Sequence, residues 1–288
     1  MLEDTINSLL ACRRSDAFTA DVIVVDNAST DGTSHRLQPF VERGDIRLLY
    51  ESRPGLSFAR NTGVQAATGR WIIFLDDDVL VPADFLVRYA AAMQEYPSAA
   101  FFAGAVLPVF DAPIPQWVSE VLSDHSWCFS AKDLGETTHE LEGDQFPYGA
   151  NMAIRRDIAL QFPFQTALGF KHGTLVPGEE TELFRAVAAA GFSGMWLADV
   201  PVRHRLPPYR ASRTYLLRRA FGQGRADAVA AAASGADTRW VVPECFRLTL
   251  TLPYFLAFKW STTSVSASVL WLRRLGHVLG MMQTRLRS

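Results

Sequence analysis

Trp71-Ile72-Ile73-Phe74-Leu75-Asp76-Asp77-Asp78 is the stretch from which the fold can be read: five apolar residues run directly into three carboxylates. A short apolar run rich in β-branched and aromatic residues predicts a strand buried on both faces. Three adjacent carboxylates in a partly dry cleft repel one another unless a cation neutralises them. Mg²⁺ or Mn²⁺ answers that need, because such ions take oxygen ligands from one or two carboxylates together with substrate phosphates. The ordinary alternative is an acidic turn complementing the helix after Pro82, but Asp84 already serves that terminus.

Outward from this strand the chain alternates. Asp21 to Val25 and Ile46 to Tyr50 read as strands, and Ser34 to Glu42, Ser57 to Ala67 and Ala83 to Glu95 as helices. Pro82 suits the first turn of its helix, and Gly69 reads as the C-cap of the helix before it. The rhythm predicts an α/β fold built from βαβ units around a Rossmann-like, mostly parallel sheet with flanking helices. From Leu107 to Tyr148 the periodicity fails and Pro, Trp and Asp accumulate, which predicts irregular structure over a cleft. Beyond it, Ala150 to Arg155 and Phe192 to Ala198 read as strands, with helices over Gly178 to Ala190 and Ser212 to Ala233. Ligands of such sheets bind beyond the carboxyl ends of the strands, and two of those ends are acidic, at Asp26 and at Asp76 to Asp78.

The 288 residues are 49% hydrophobic and 20% charged, a composition that excludes disordered and fibrous classes. Cys12, Cys128 and Cys245 match no metal-ligand spacing and fit a reducing compartment; Met1 is followed by acidic and polar residues rather than a secretory signal. Net charge is -2, yet from Pro201 onward 14 Lys and Arg stand against 3 Asp and Glu. The chain therefore divides into a catalytic domain over 1–205 and a helical, basic region over 206–288. Its uncharged runs, Leu248 to Phe258 and Trp260 to Leu272, fall short of the roughly 20 residues that span a bilayer. Together with the basic side chains they point to a cytoplasmic protein with peripheral contact at the anionic inner face of the cell membrane, core helices of a soluble domain being the alternative. No nucleic-acid partner is expected.

Asp26-Asn27-Ala28-Ser29-Thr30-Asp31-Gly32-Thr33 alone is an ordinary turn sequence. Joined by Gly55-Leu56-Ser57-Phe58-Ala59-Arg60-Asn61-Thr62-Gly63, Gly69 and Phe74 to Asp78 in this order, it resembles the family 2 glycosyltransferases of GT-A fold. The resemblance runs from about Asp21 to about Arg225. It takes in Gly149-Ala150-Asn151-Met152-Ala153, Gly178-Glu179-Glu180-Thr181-Glu182-Leu183 and His204. It implies that Asp26, Asn27 and Arg60 belong to the nucleotide site, and that Asp76, Asp77 and Asp78 hold the donor as a DxD-type motif. It also implies a divalent ion on Asp78, with Asp76 and His204.

The family's acidic pair, usually Glu-Asp, supplies the general base and here reads Glu179-Glu180, with Glu180 favoured. The implied enzyme is an inverting, hexosyltransferase-type glycosyltransferase, moving sugar from a nucleoside-diphosphate donor, UDP-linked by expectation, to an acceptor hydroxyl that a lipid could carry. Family members open with a strand lining the nucleotide base, whereas this sequence opens at Met1-Leu2-Glu3 inside the expected first helix, which implies either a truncated start or a sheet short of one strand. Two rivals stand beside this reading. One is a haloacid-dehalogenase-like phosphatase, for which Leu80 lacks the required hydroxyl. The other is a catalytically silent sugar-nucleotide-binding protein.

Overall fold

The computed structural model describes residues 1–166, 169–171, 174–176, 178–233, 241, 243–245, 247–248 and 262–285. They form two compact units. The first comprises Met1–Val109, Ala131–His172 and Glu179–Arg205; the second comprises Phe110–Ser130, Gly173–Gly178 and Leu206–Ser288.

The first unit opens with α1 (Leu2–Leu10), β1 (Ile23–Asp26), α2 (Thr33–Glu42), β2 (Arg47–Tyr50), α3 (Leu56–Ala66) and β3 (Trp71–Phe74). On β3 the side chains alternate. Ile72 and Phe74 enter a core with Val64, Met152 and Ile154, while Trp71 and Ile73 enter another with Phe85, Tyr89 and Phe102. This is the two-sided burial its apolar run demands. On α2, Leu37 and Phe40 lie three apart on one face and meet Ile6 of α1 and Ile46. Gly69 has no capping role: α3 ends at Ala66, and Ala67 is already extended at φ -65 and ψ 143.

The rest of this unit is β4 (Val79–Leu80), α4 (Phe85–Glu95), β5 (Phe101–Phe110), β6 (His139–Glu140), β7 (Met152–Arg155), α6 (Arg156–Gln161), β8 (Gly169–Lys171), α7 (Glu179–Ala189) and β10 (Gly194–Leu206). The main sheet has the order β3-β7-β5-β10-β4, with β6 beside β10; β1 and β2 form a separate parallel ladder. The α/β class and flanking helices are as expected, but strand direction differs. β7 pairs antiparallel with both β3 and β5, and β10 pairs antiparallel with β4 and β6. Antiparallel neighbours need no crossover helix between them, so the long connection from β5 to β7 does not have to supply one.

Asn151 fastens the middle of this sheet. Fully buried, it accepts from the Tyr89 hydroxyl at 2.8 Å and donates to the carbonyls of Ala105 at 3.0 Å and Val200 at 2.7 Å. Gly104 makes the room, since a Cβ there would lie 2.3 Å from Asn151 Nδ2.

The second unit contains α5 (Gln116–Asp124), short 3-10 turns at Ser126–Phe129 and Pro208–Ala211, β9 (Thr174–Val176), α8 (Arg213–Ala233) and α9 (Thr262–Arg285). The expected irregular stretch therefore includes a regular helix, whose Val118 and Val121 pack with Leu216, Ala220, Val265 and Val269. α8 and α9 approach backbone to backbone, because a Cβ at Gly224 would lie 1.8 Å from Arg273 O and one at Gly276 2.2 Å from Phe221 O. Among the described residues no helix is long and apolar enough to cross a membrane. Leu252, Phe255, Phe258 and Trp260, on which the interfacial expectation leaned, lie outside the described residues.

Candidate active site

The turn after β3 separates its three carboxylates. Asp77 is exposed, Asp76 is half-buried, and Asp78 is buried at 6% exposure. α1 holds the turn through the Thr5 hydroxyl, which donates to Asp77 O at 3.1 Å. β4 then pairs with β10, setting His204 opposite Val79, and Arg205 N donates to Asp78 O at 2.8 Å. The consequence is that His204 Nε2 lies 3.1 Å from Asp78 Oδ1, with both side chains buried. Two residues 126 positions apart by number are thus joined by one short ladder.

Arg60, on α3, forms the second cluster. Its guanidinium is buried and meets Glu179 at 2.6 Å and Asp76 at 3.4 Å. Gly149 leaves the space it occupies: a Cβ there would lie 2.0 Å from Arg60 Nη2. Burial alone would disfavour the Arg60 charge, but Glu179, Asp76 and Glu180 around it outweigh that and raise its pKa. Burial, with Asp78 and Glu179 nearby, raises the Asp76 pKa against the pull of Arg60 and His204.

At the start of α7 the two glutamates have different partners. Glu179 is engaged through Oε1 by Arg60, and the Oε2 atoms of both Glu179 and Glu180 are buried with no hydrogen-bond partner among the described residues. Burial first, then the Glu179 charge, pushes the Glu180 pKa up to about 8. Glu182 pairs with Arg185 on the helix surface, the local pairing its spacing predicts.

The remaining expected residues sit at the end of β1, Asp26 engaged within its own loop and Asn27 by the loop before α3. Asp26 accepts from Ser29 N at 2.9 Å and from the Ser34 hydroxyl; burial opposes ionisation there, but these hydrogen bonds prevail and lower its pKa. Asn27 donates to the carbonyls of Glu51 at 3.2 Å and Arg53 at 2.7 Å and accepts from Gly55 N at 2.6 Å, so its amide ties β1 to the loop before α3. Glu51 was not legible as a site residue. It is buried, forked by Arg53 and bonded by Thr62 at 2.7 Å, which holds its carboxyl far below the usual range.

A divalent ion fits one part of this arrangement. Two ligands each about 2.1 Å from an octahedral ion lie about 3 Å apart, close to the spacing of Asp78 Oδ1 and His204 Nε2. Asp76 turns instead to Arg60. Among the described residues no group of three or more His, Cys, Asp or Glu side chains converges as a ready-made metal site. Asp78 and His204 would supply the protein side of such a site, and substrate phosphates and water would complete it.

The sequence pattern described as Glycosyl transferase family 2 matches residues 1–160, more than half of the chain. The chain belongs to that family. Two relatives extend the similarity beyond the matched region. The succinoglycan biosynthesis protein ExoM of Rhizobium meliloti is 28% identical over 245 residues, covering 83% of this chain and 74% of that protein. The glucosyl-dolichyl phosphate glucuronosyltransferase of Haloferax volcanii is 26% identical over 224 residues, covering 77% and 69%.

The GT-A fold of this family 2 glycosyltransferase is shared with solved structures. S. aureus TarS in complex with UDP aligns with a TM-score of 0.54 at 13% identity, over 100% of this chain and 88% of that one. The mannosyltransferase PcManGT of Pyrobaculum calidifontis, with GDP-Man and Mn²⁺, aligns with a TM-score of 0.57 at 17% identity, over 99% and 84%. Neither the phosphatase nor the silent-binder alternative finds support in these similarities.

Proposed function

We propose that this glycosyltransferase moves a hexosyl unit from a nucleoside-diphosphate sugar to an acceptor hydroxyl with inversion, and that Glu180 is the general base. The observation that carries the assignment is the division of labour at α7: each glutamate keeps a buried Oε2 without a hydrogen-bond partner among the described residues, but the other oxygen of Glu179 is held by Arg60, and burial with the Glu179 charge raises the pKa of Glu180. A carboxylate with its pKa lifted toward the working pH takes a hydroxyl proton more effectively than an ordinary one. A single in-line displacement with one base leaves no glycosyl-enzyme step, so an α-linked donor gives a β-glycoside.

Asp78 and His204 are the residues to hold Mg²⁺ or Mn²⁺, which when bound would supply positive charge to the departing diphosphate. Arg60 orders Asp76 on one side and Glu179 on the other, so donor and acceptor ends share one guanidinium. Asp26 and Asn27 shape the loop on which the nucleotide base would rest, and Asp77, which is exposed, would approach the donor. UDP is the expected nucleotide; the presence of UDP in TarS and of GDP-Man in PcManGT supports the nucleoside-diphosphate class.

A lipid-linked acceptor at an anionic membrane surface extends the proposal. The name of the Haloferax relative, which acts on a dolichyl phosphate sugar, supports it, as does the 14 to 3 excess of basic side chains after residue 200. Sedimentation with anionic vesicles should show binding that weakens as salt rises; no binding at low salt removes this part. The central reading is tested by a screen of UDP-, GDP- and dTDP-sugars with Mn²⁺ or Mg²⁺. Nucleoside diphosphate should be released from one class and only with metal, and no release from any donor contradicts it.

A further inference from the structure

Asn61 follows Arg60 on α3, and a helix interior is a poor place for asparagine, whose short amide competes for backbone hydrogen bonds. Here that amide is directed at one distant residue. Its Oδ1 accepts from Phe164 N at 2.9 Å and its Nδ2 donates to Phe164 O at 2.8 Å, across 103 positions of sequence. Phe164 lies in the loop after α6, outside any strand, and its side chain is 2% exposed. A buried backbone N–H or C=O left without a partner is costly, and here no strand neighbour supplies one. The Asn61 amide takes that place and fixes the chain at Phe164.

The ring held in this way stands among the three elements that carry Asp76, Arg60 and Glu179. It meets Phe74 edge-on, with centroids 5.4 Å apart, and Phe74 ends β3 just before Asp76. It shares a core with Leu183 and Phe184, one turn along α7 from Glu179 and Glu180. The Arg60 guanidinium carbon lies over it, 5.4 Å from its centre. Gly149 forms another wall of the same slot, since a Cβ there would lie 2.9 Å from Arg60 Cζ. The Gly149 wall runs directly into Asn151 and β7, whereas the Phe164 wall takes both of its backbone hydrogen bonds from Asn61. Arg60 reaches Glu179 through Nη1 and Asp76 through Nη2, a two-sided grip that depends on how the guanidinium plane is tilted. A flat ring under a buried cation sets that tilt and adds a cation–π attraction that grows as water is excluded.

We propose that Asn61 is a positioning residue for Arg60: by pinning Phe164 it seats the ring under the guanidinium and keeps Nη1 on Glu179 and Nη2 on Asp76. The proposal rests on the reading of Asp76 and Glu179 as parts of the donor and acceptor ends of the site, and its first test is independent of turnover. In the full-length protein labelled with ¹⁵N-arginine, the Arg60 Nε–H signal is assigned by its loss in Arg60→Lys, and its exchange with solvent is measured. Asn61→Ala should speed that exchange by about tenfold or more, the scale of losing a buried cation–π contact, while melting stays cooperative. Phe164→Leu keeps the Asn61 bonds and removes the ring; it should show the same acceleration, and it provides the answer should Asn61→Ala fail to fold. Unchanged exchange in either folded variant overturns the proposal. Turnover gives a second reading. Asn61→Ala should lower kcat/KM by up to about a hundredfold, as a small misplacement of a catalytic arrangement does, but by little when Arg60→Lys is already present. Equal losses in both backgrounds overturn the proposal. A wild type that turns over no donor removes the proposed function instead, and the Arg60 exchange rates still decide the role of Asn61.

Discussion

The guanidinium of Arg60 meets the carboxylate of Glu179 at 2.6 Å across 119 residues of sequence, and both side chains are buried. Breaking such a pair from one side leaves a buried charge without its partner, which typically costs about 3–5 kcal/mol. Arg60→Met should therefore lose stability on that scale in urea denaturation. Adding Glu179→Gln should recover much of it, because the stranded charge is gone. Additive single effects would show that the two side chains do not form one unit.

Asn151→Leu removes three hydrogen bonds while roughly keeping volume. Tyr89 OH and the carbonyls of Ala105 and Val200 are then left in the sheet interior, where each unsatisfied group costs about 1–3 kcal/mol. A fall in melting temperature of several degrees is expected, and it should be partly relieved by Tyr89→Phe in the same chain. An unchanged melting temperature would mean that water replaces the amide.

Glu180 links stability to pH with a definite sign. Its folded pKa is raised from the ordinary 4.5 to about 8. At pH 4 both folded and unfolded chains keep the proton, and the group contributes little. As pH rises from 4.5 toward 8 the unfolded chain gives up its proton first, so folding is progressively disfavoured. Glu180→Gln removes that penalty. Its melting temperature should exceed that of wild type by an amount that grows between pH 4 and pH 8; a constant difference would place Glu180 in a well-solvated environment.

Much of this architecture was legible from Trp71 to Asp78 outward, because an apolar run ending in carboxylates is a local pattern and β3 obeys it. β5 was not legible: Phe101 to Val106 are buried without alternation, so no period marks a strand. β10 continues through Pro201 to Leu206, past the break a proline implies. The site was legible by residue type and illegible by pairing. Nothing in the local sequence joins Arg60 to Glu179 or His204 to Asp78, because each contact is made by tertiary packing. The motif position of Asn27 suggests a nucleotide site, and what the sequence did not show is that its amide also holds two loops together.

Asp78→Asn keeps shape and removes charge where a carboxylate and an imidazole converge. Calorimetric titration of a nucleoside-diphosphate sugar in the presence of Mn²⁺ should show metal-dependent binding in wild type and its loss in the variant, with thermal melting still cooperative. Equal affinity in both would take Asp78 out of the metal site.

The assignment of the base is tested most directly by turnover of Glu180→Gln and Glu179→Gln side by side, at saturating donor and acceptor with metal. Glu180→Gln should bind donor as wild type does and lower kcat by about two to four orders of magnitude, the range of a positioned general base. Glu179→Gln should act chiefly through Arg60, weakening stability and donor binding more than kcat. Wild-type kcat in Glu180→Gln, or the selective kcat loss appearing in Glu179→Gln instead, would contradict the assignment.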